Sequence, residues 1–194
     1  MKNSFRWLMV ALIPVGLLSL PSPSVRAGEH AYMGTKNCKK CHFKEWKSWA
    51  ETKMAKTFET LKPGVAAEAK KNAGLDPDKD YTTDATCVAC HTTGLGQPGG
   101  FVSIEETPDR AGVGCEVCHG PGGTYTKTEY MSLKNKSYKK AEVVAVGMVD
   151  TVAVEQCKGC HNTESPFVGD DYVFDFEANK DKGTHKKFPL KYEH

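Results

Sequence analysis

The chain has 194 residues and is close to charge balance, with 26 Lys and Arg against 24 Asp and Glu. That balance excludes the strongly basic field of a nucleic-acid-binding domain. Residues 28–194 hold only 26 Leu, Ile, Val and Phe, about 16% of that span. Chains below roughly 20% rarely build a side-chain core, yet a near-zero net charge is not that of a disordered chain. The interior therefore needs another filling.

Residues 1–27 read as an export leader. Lys2 and Arg6 make a basic start, Trp7 to Leu20 is an apolar run, and Val25-Arg26-Ala27 offers a cleavage site before Gly28. The run falls short of the roughly 20 apolar residues that a membrane span needs. The expectation is a mature chain over 28–194, one domain with a net charge of −1, exported to the periplasm and not membrane-spanning.

Next comes Cys38-Lys39-Lys40-Cys41-His42, the first of four copies of C-x-x-C-H. The others run from Cys87 through Cys90 to His91, from Cys115 through Cys118 to His119, and from Cys157 through Cys160 to His161. Together they use all eight cysteines and four of the seven histidines. This is the spacing of c-type haem attachment. Two thiols one helical turn apart each bond a vinyl group of one porphyrin, and the following imidazole sits beneath the iron as its proximal ligand. A disulfide framework has no use for a His after every second Cys. A zinc ribbon does not need it four times over, and a thioredoxin-like site carries its CxxC once, beside a βαβ pattern. The reading is four covalently bound haem c, with His42, His91, His119 and His161 as proximal ligands.

Four haems over residues 28–194 leave about 42 residues each. At that ratio the porphyrins are the core, replacing the missing Leu and Ile as buried apolar surface. The expected fold is mainly α, with short helices, long loops and little β around a haem-filled interior. After the first motif, Trp46, Trp49, Ala50, Met54, Thr57, Phe58 and Leu61 recur at helical spacing and predict one amphipathic helix from about Phe43 to Leu61. A second helix is predicted with Pro63 near its first turn, Ala66, Ala67 and Ala69 inside, and Gly74 at its stop before Pro77. The glycines from Gly94 to Gly100 and from Gly120 to Gly123 mark loops. A third helix is placed from Ser137 to about Met148, although Val143, Val144 and Val146 suit a strand equally. Tyr172 to Phe176 alternates and reads as a short strand.

The second axial position of each iron decides between electron transfer and chemistry. Beyond the proximal ligands only His30, His185 and His194 remain, so at least one iron lacks a distal imidazole. Met can take such a place and raise the potential, or the place stays open. Met54 is either core filler or axial ligand. His185 in the Lys-rich tail, Met131 after the third motif and His30 before the first are the other candidates. His194 is a chain end, where fraying is usual.

The strings TCVACHTTGLGQPGGF, GVGCEVCHGPGG and LDPDKDYT resemble the tetrahaem cytochrome c-554 family, known from ammonia-oxidising bacteria. There the protein carries electrons away from hydroxylamine oxidoreductase. The resemblance runs from about Gly34 through His161, with weaker counterparts in YVFDF and His185. It implies a multihaem cytochrome c fold, mostly helical, with closely packed and partly stacked haems. It also implies three irons with two axial ligands and a five-coordinate iron on His91. Two departures stand out. Met54 occupies the position of a distal His for the fourth-motif haem, which implies a Met54–His161 pair. The loop after the third motif carries Glu129 and Met131 where the family has the distal His of the first haem. His185 matches the ligand that partners His119.

The leading functional expectation is a periplasmic carrier that passes electrons between redox partner proteins through closely packed haems. Lys36, Lys39, Lys40, Lys44, Lys47, Lys53 and Lys56 either steer an acidic partner or form a solvated helix face. The alternative is a reductase or oxidase of nitric oxide, hydroxylamine or nitrite at a five-coordinate haem on His91. No CxxCK is present, and Thr92 and Thr93 are the only nearby, weak proton donors. A third reading is a conduit within a membrane complex or a polymeric haem wire.

Overall fold

Apolar stretches cut by Gly and Pro every few residues can sustain only short helices, and the computed structural model, which describes residues 30–189, is built from them. In chain order they are α1 (Thr35–Cys38), α2 (Phe43–Ala50), a 3₁₀ helix (Met54–Leu61), α3 (Ala67–Asn72), α4 (Ala85–His91), a 3₁₀ turn (Pro108–Arg110), α5 (Cys115–His119), α6 (Lys140–Ala145), α7 (Val154–Lys158) and α8 (Phe176–Asn179). Among the described residues there is no strand, and Thr92 and Ala111 make an isolated antiparallel bridge. No described helix is long and apolar enough to cross a membrane. The leader expected over residues 1–27, and His194, lie outside the described residues.

The single helix expected from Phe43 to Leu61 is two elements. The Met54 carbonyl accepts from the Val113 N–H (3.0 Å), and the Trp49 indole N–H donates to the Val113 carbonyl (2.9 Å). The Thr52 hydroxyl also turns back onto the Trp49 carbonyl (2.7 Å). Side-chain bonds of this kind compete with the i→i+4 ladder, so the chain tightens to 3₁₀ geometry after residue 53. Gly112 makes the crossing possible: at φ +82°, a Cβ there would stand 2.5 Å from the Ala55 carbonyl oxygen.

The second expected helix starts later, at Ala67 rather than beside Pro63, because the left-handed Ala66 interrupts the turns before it. It stops where expected: the Leu75 N–H closes onto the Lys70 carbonyl (2.8 Å) around Gly74. The third is α6, shorter than residues 137–148 but helical, with Val143 completely buried. The strand expected over Tyr172–Phe176 is absent. Asp175 caps the start of α8 by accepting from the Ala178 N–H (2.9 Å), so Phe176 turns into a helix.

Among the described residues, the enclosed apolar side chains are few. Phe58, Leu61, Tyr81, Val88 and Phe101 form one cluster, with Phe58 and Phe101 ring centroids 5.5 Å apart. Tyr125 and Val143 are buried elsewhere. This polypeptide core lies beside the second motif, with Val88 between its two cysteines.

Candidate functional site

Each C-x-x-C-H motif lies on or just after one turn of helix. The His42 N–H bonds the Cys38 carbonyl and the His161 N–H the Cys157 carbonyl, both at 2.9 Å, while the second and third motifs lie within α4 and α5. One helical turn puts both thiols and the imidazole on the same side of the chain. Asp84 starts α4 by accepting from the Thr86 N–H (3.1 Å).

The loops then bring the motifs together. The exit of the second is stitched to the approach of the third, with Gly112 N–H to the His91 carbonyl (3.0 Å) and the Thr93 hydroxyl to the Gly112 carbonyl (2.8 Å). Val149 N–H bonds the His119 carbonyl (3.0 Å), which ties the approach of the fourth motif to the third. Thiols of different motifs come near one another in consequence. Cys38 and Cys115 are neighbours, and their interaction holds the Cys115 thiol below its ordinary range and pushes that of Cys38 up. Cys160 faces Cys90, and burial together with that neighbour pushes its thiol up to about 12. Burial raises Cys118 too, with Cys157 adding to the effect. No disulfide joins any of the eight cysteines, and no described group of His, Cys, Asp and Glu forms a cage for a bare metal ion.

In two imidazoles, those of His91 and His185, a carbonyl fixes the position of the ring proton. His91 Nδ1 lies 2.7 Å from the Thr57 carbonyl and 3.4 Å from the Thr60 hydroxyl. A carbonyl only accepts, so Nδ1 carries the proton and Nε2 presents its lone pair. His185 repeats the device, donating from Nδ1 to the Lys186 carbonyl (2.9 Å). The tail folds back through the Lys186 N–H to the Ser48 hydroxyl (2.9 Å) and brings the His185 ring opposite His119, centroids 6.1 Å apart. Two imidazoles bound on opposite sides of one metal, each at about 2 Å, have centroids about 6 Å apart. Cysteines without disulfide partners at haem spacing and this paired geometry fit haem c.

The other distal candidates are less closely paired. His30 Nδ1 meets the Thr124 hydroxyl at 2.7 Å, and its ring occupies the space that a side chain on Gly147 would fill. The Met54 methyl lies beside Gly183 in the tail. Half-buried Met131 is held through its N–H to the Tyr125 carbonyl (2.9 Å). The His161 ring stacks on Phe174, centroids 4.6 Å apart and planes 20° apart. Phe174 was legible only as an apolar position in an alternating stretch.

Sequence reasoning missed Glu116, which fills a variable position inside the third motif. It is 2% exposed, and its carboxylate accepts from the N–H groups of Met33, Gly34 and Gly122. The only local sign was an acid between two attachment cysteines.

The family described as "Cytochrome c554 and c-prime" matches residues 37–120, which enclose the first three motifs. The chain is 40% identical over 170 residues to cytochrome c-554 of Nitrosomonas europaea, covering 84% of this chain and 72% of that protein. The solved reduced state of cytochrome c554 from Nitrosomonas europaea aligns with a TM-score of 0.70 at 35% identity, covering 84% of this chain and 88% of that one. With four attachment motifs on short helices and a mainly helical architecture shared with that structure, the chain belongs to the cytochrome c-554 family and is a c-type cytochrome electron carrier with four covalently bound haem c groups.

Proposed function

We propose that this chain is a periplasmic carrier whose attachment sites form one continuous relay, in the order first, third, fourth and second motif. The observation that carries the proposal is that thiols of successive sites lie within electrostatic range of one another: Cys38 and Cys115, Cys118 and Cys157, and Cys90 and Cys160. When bound, haem supplies one-electron redox chemistry at potentials set by axial ligand, hydrogen bonding and burial. With haem bound, the eight cysteines would hold it through thioether bonds, and His42, His91, His119 and His161 would ligate its iron. His185 completes the His119 site. His30, steadied by Thr124, is the remaining described imidazole for a distal role, while Met54 and Met131 are the thioether candidates. The basic leader read over residues 1–27 supports export.

Partner exchange belongs at the first motif. Cys41 is exposed there, and Lys36, Lys40, Lys44 and Lys47, close to it along the chain, are exposed too. Lys39 lies over the Trp46 ring at 3.8 Å, which keeps a cation beside an aromatic surface. Such a patch recruits an acidic redox protein by steering and lets it leave again.

Rapid-mixing reduction of the holoprotein tests this reading. All four haems should be reduced through one second-order step, its rate falling steeply with ionic strength for an acidic donor. Nitric oxide, nitrite and hydroxylamine should not be consumed. Steady turnover of any of them would instead support small-molecule redox chemistry at His91.

A further inference from the structure

We propose that Glu116 tunes the relay: it is a fixed buried anion between the first and third attachment sites that lowers the reduction potentials of those two haems and leaves the other two unaffected. The proposal rests on the relay reading above. Glu116 directly follows Cys115, so the chain holds it against the third site. Its Oε2 accepts from Gly34 N–H (2.7 Å), and its Oε1 from Met33 N–H (2.9 Å) and Gly122 N–H (2.7 Å). Met33 and Gly34 lead straight into the first site, where the Cys38 thiol points back at the Gly34 carbonyl (3.8 Å). One carboxylate thus bridges the approach to the first motif and the loop leaving the third.

The surroundings suit a charge and do not cancel it. Three N–H donors occupy both oxygens, and among the described residues no Lys, Arg or His forms an ion pair with the group. Burying an ionised carboxylate carries a large desolvation cost, which backbone dipoles offset here. Its field is felt locally: it opposes ionisation of Cys38, Cys115, Tyr32 and Tyr125. The second- and fourth-motif thiols respond instead to Asp84, Lys79 and one another. Reduction adds an electron to the iron. A nearby negative charge in a low-dielectric interior opposes that step, which lowers the potential.

The test is a spectroelectrochemical titration of holoprotein carrying E116Q or E116D, beside the wild type. E116Q keeps the side-chain shape but removes the charge, so two of the four potentials should move positive. The shift should keep its size in about 0.5 M salt, because buried charges escape ionic screening. E116D should stay near the wild type, as a structural clasp alone would not allow. If no potential moves, if all four move together, or if Asp behaves like Gln, the proposal is overturned. Fewer than four redox-active haems in the wild type would instead defeat the relay reading beneath it. Should E116Q not fold, the reduced-minus-oxidised infrared difference spectrum of the wild type decides. A carboxylate band that shifts as two of the four haems are reduced supports Glu116, and its absence overturns the role.

Discussion

Replacing Phe58 by Ala measures how much interior the polypeptide itself supplies. Phe58 is 2% exposed, tilts against Phe101 at 5.5 Å, and shares a cluster with Leu61, Tyr81 and Val88. Truncating a buried Phe costs about 3–5 kcal/mol, the lost transfer energy plus the cavity left behind. About 0.5–1.5 kcal/mol of that is the aromatic pair. Against a typical total of about 5–15 kcal/mol the loss is severe. At about 2–4 °C per kcal/mol for a chain of this size, melting should fall by about 6–20 °C. The consequence for the site is specific. Phe58 follows Thr57 and precedes Thr60, the two residues that hold His91 Nδ1. Far-UV circular dichroism follows the helices and Soret absorption follows the haems. The expected result is a lower melt in which one haem spectrum changes before the rest. A loss within about 0.5 kcal/mol, the range of surface substitutions, or equal perturbation of all four haems would refute the reasoning.

Two further outcomes follow from the same geometry. His185→Ala removes the ring facing His119, so the holoprotein should gain one high-spin iron and bind one more carbon monoxide per chain; unchanged stoichiometry would exclude the pair. Tyr125 is buried and donates to the Gly120 carbonyl (3.0 Å), and burial, with the Glu116 charge adding, raises its hydroxyl above the ordinary value of 10.0. A pKa raised by folding means that its contribution is whole below about pH 10 and is lost as pH climbs through the raised value. Alkaline unfolding of Tyr125→Phe should therefore be less steep than that of the wild type above pH 10, and identical curves would count against a role for the phenol.

Helix interruptions show why periodicity alone overreached. Trp46, Trp49, Met54, Phe58 and Leu61 do lie on a helical stripe, and the pattern is correct for apolar content. The break after residue 53 depends on Val113, which bonds both the Met54 carbonyl and the Trp49 indole from sixty residues away. No local signal encodes that partner. The Tyr172–Phe176 stretch failed differently: its alternation is real, but Asp175 is a strong helix cap, and the cap prevailed where no neighbouring strand offered a ladder. Loops at Gly94–Gly100 and Gly120–Gly123 were legible because glycine punctuates the chain wherever it falls.

Cofactor identity and number were settled by sequence alone, since thioether attachment and proximal ligation are local chemistry written within five consecutive residues. The poverty of Leu and Ile pointed the same way, because a chain that lacks its own interior must bury something else. Three contacts belong to tertiary structure: the tail folding His185 onto His119, the carbonyl of Thr57 setting the His91 proton, and Glu116 collecting N–H groups more than eighty residues upstream. Each joins groups far apart along the chain. Distances of that kind are set by how the loops close, and composition and spacing carry no record of them.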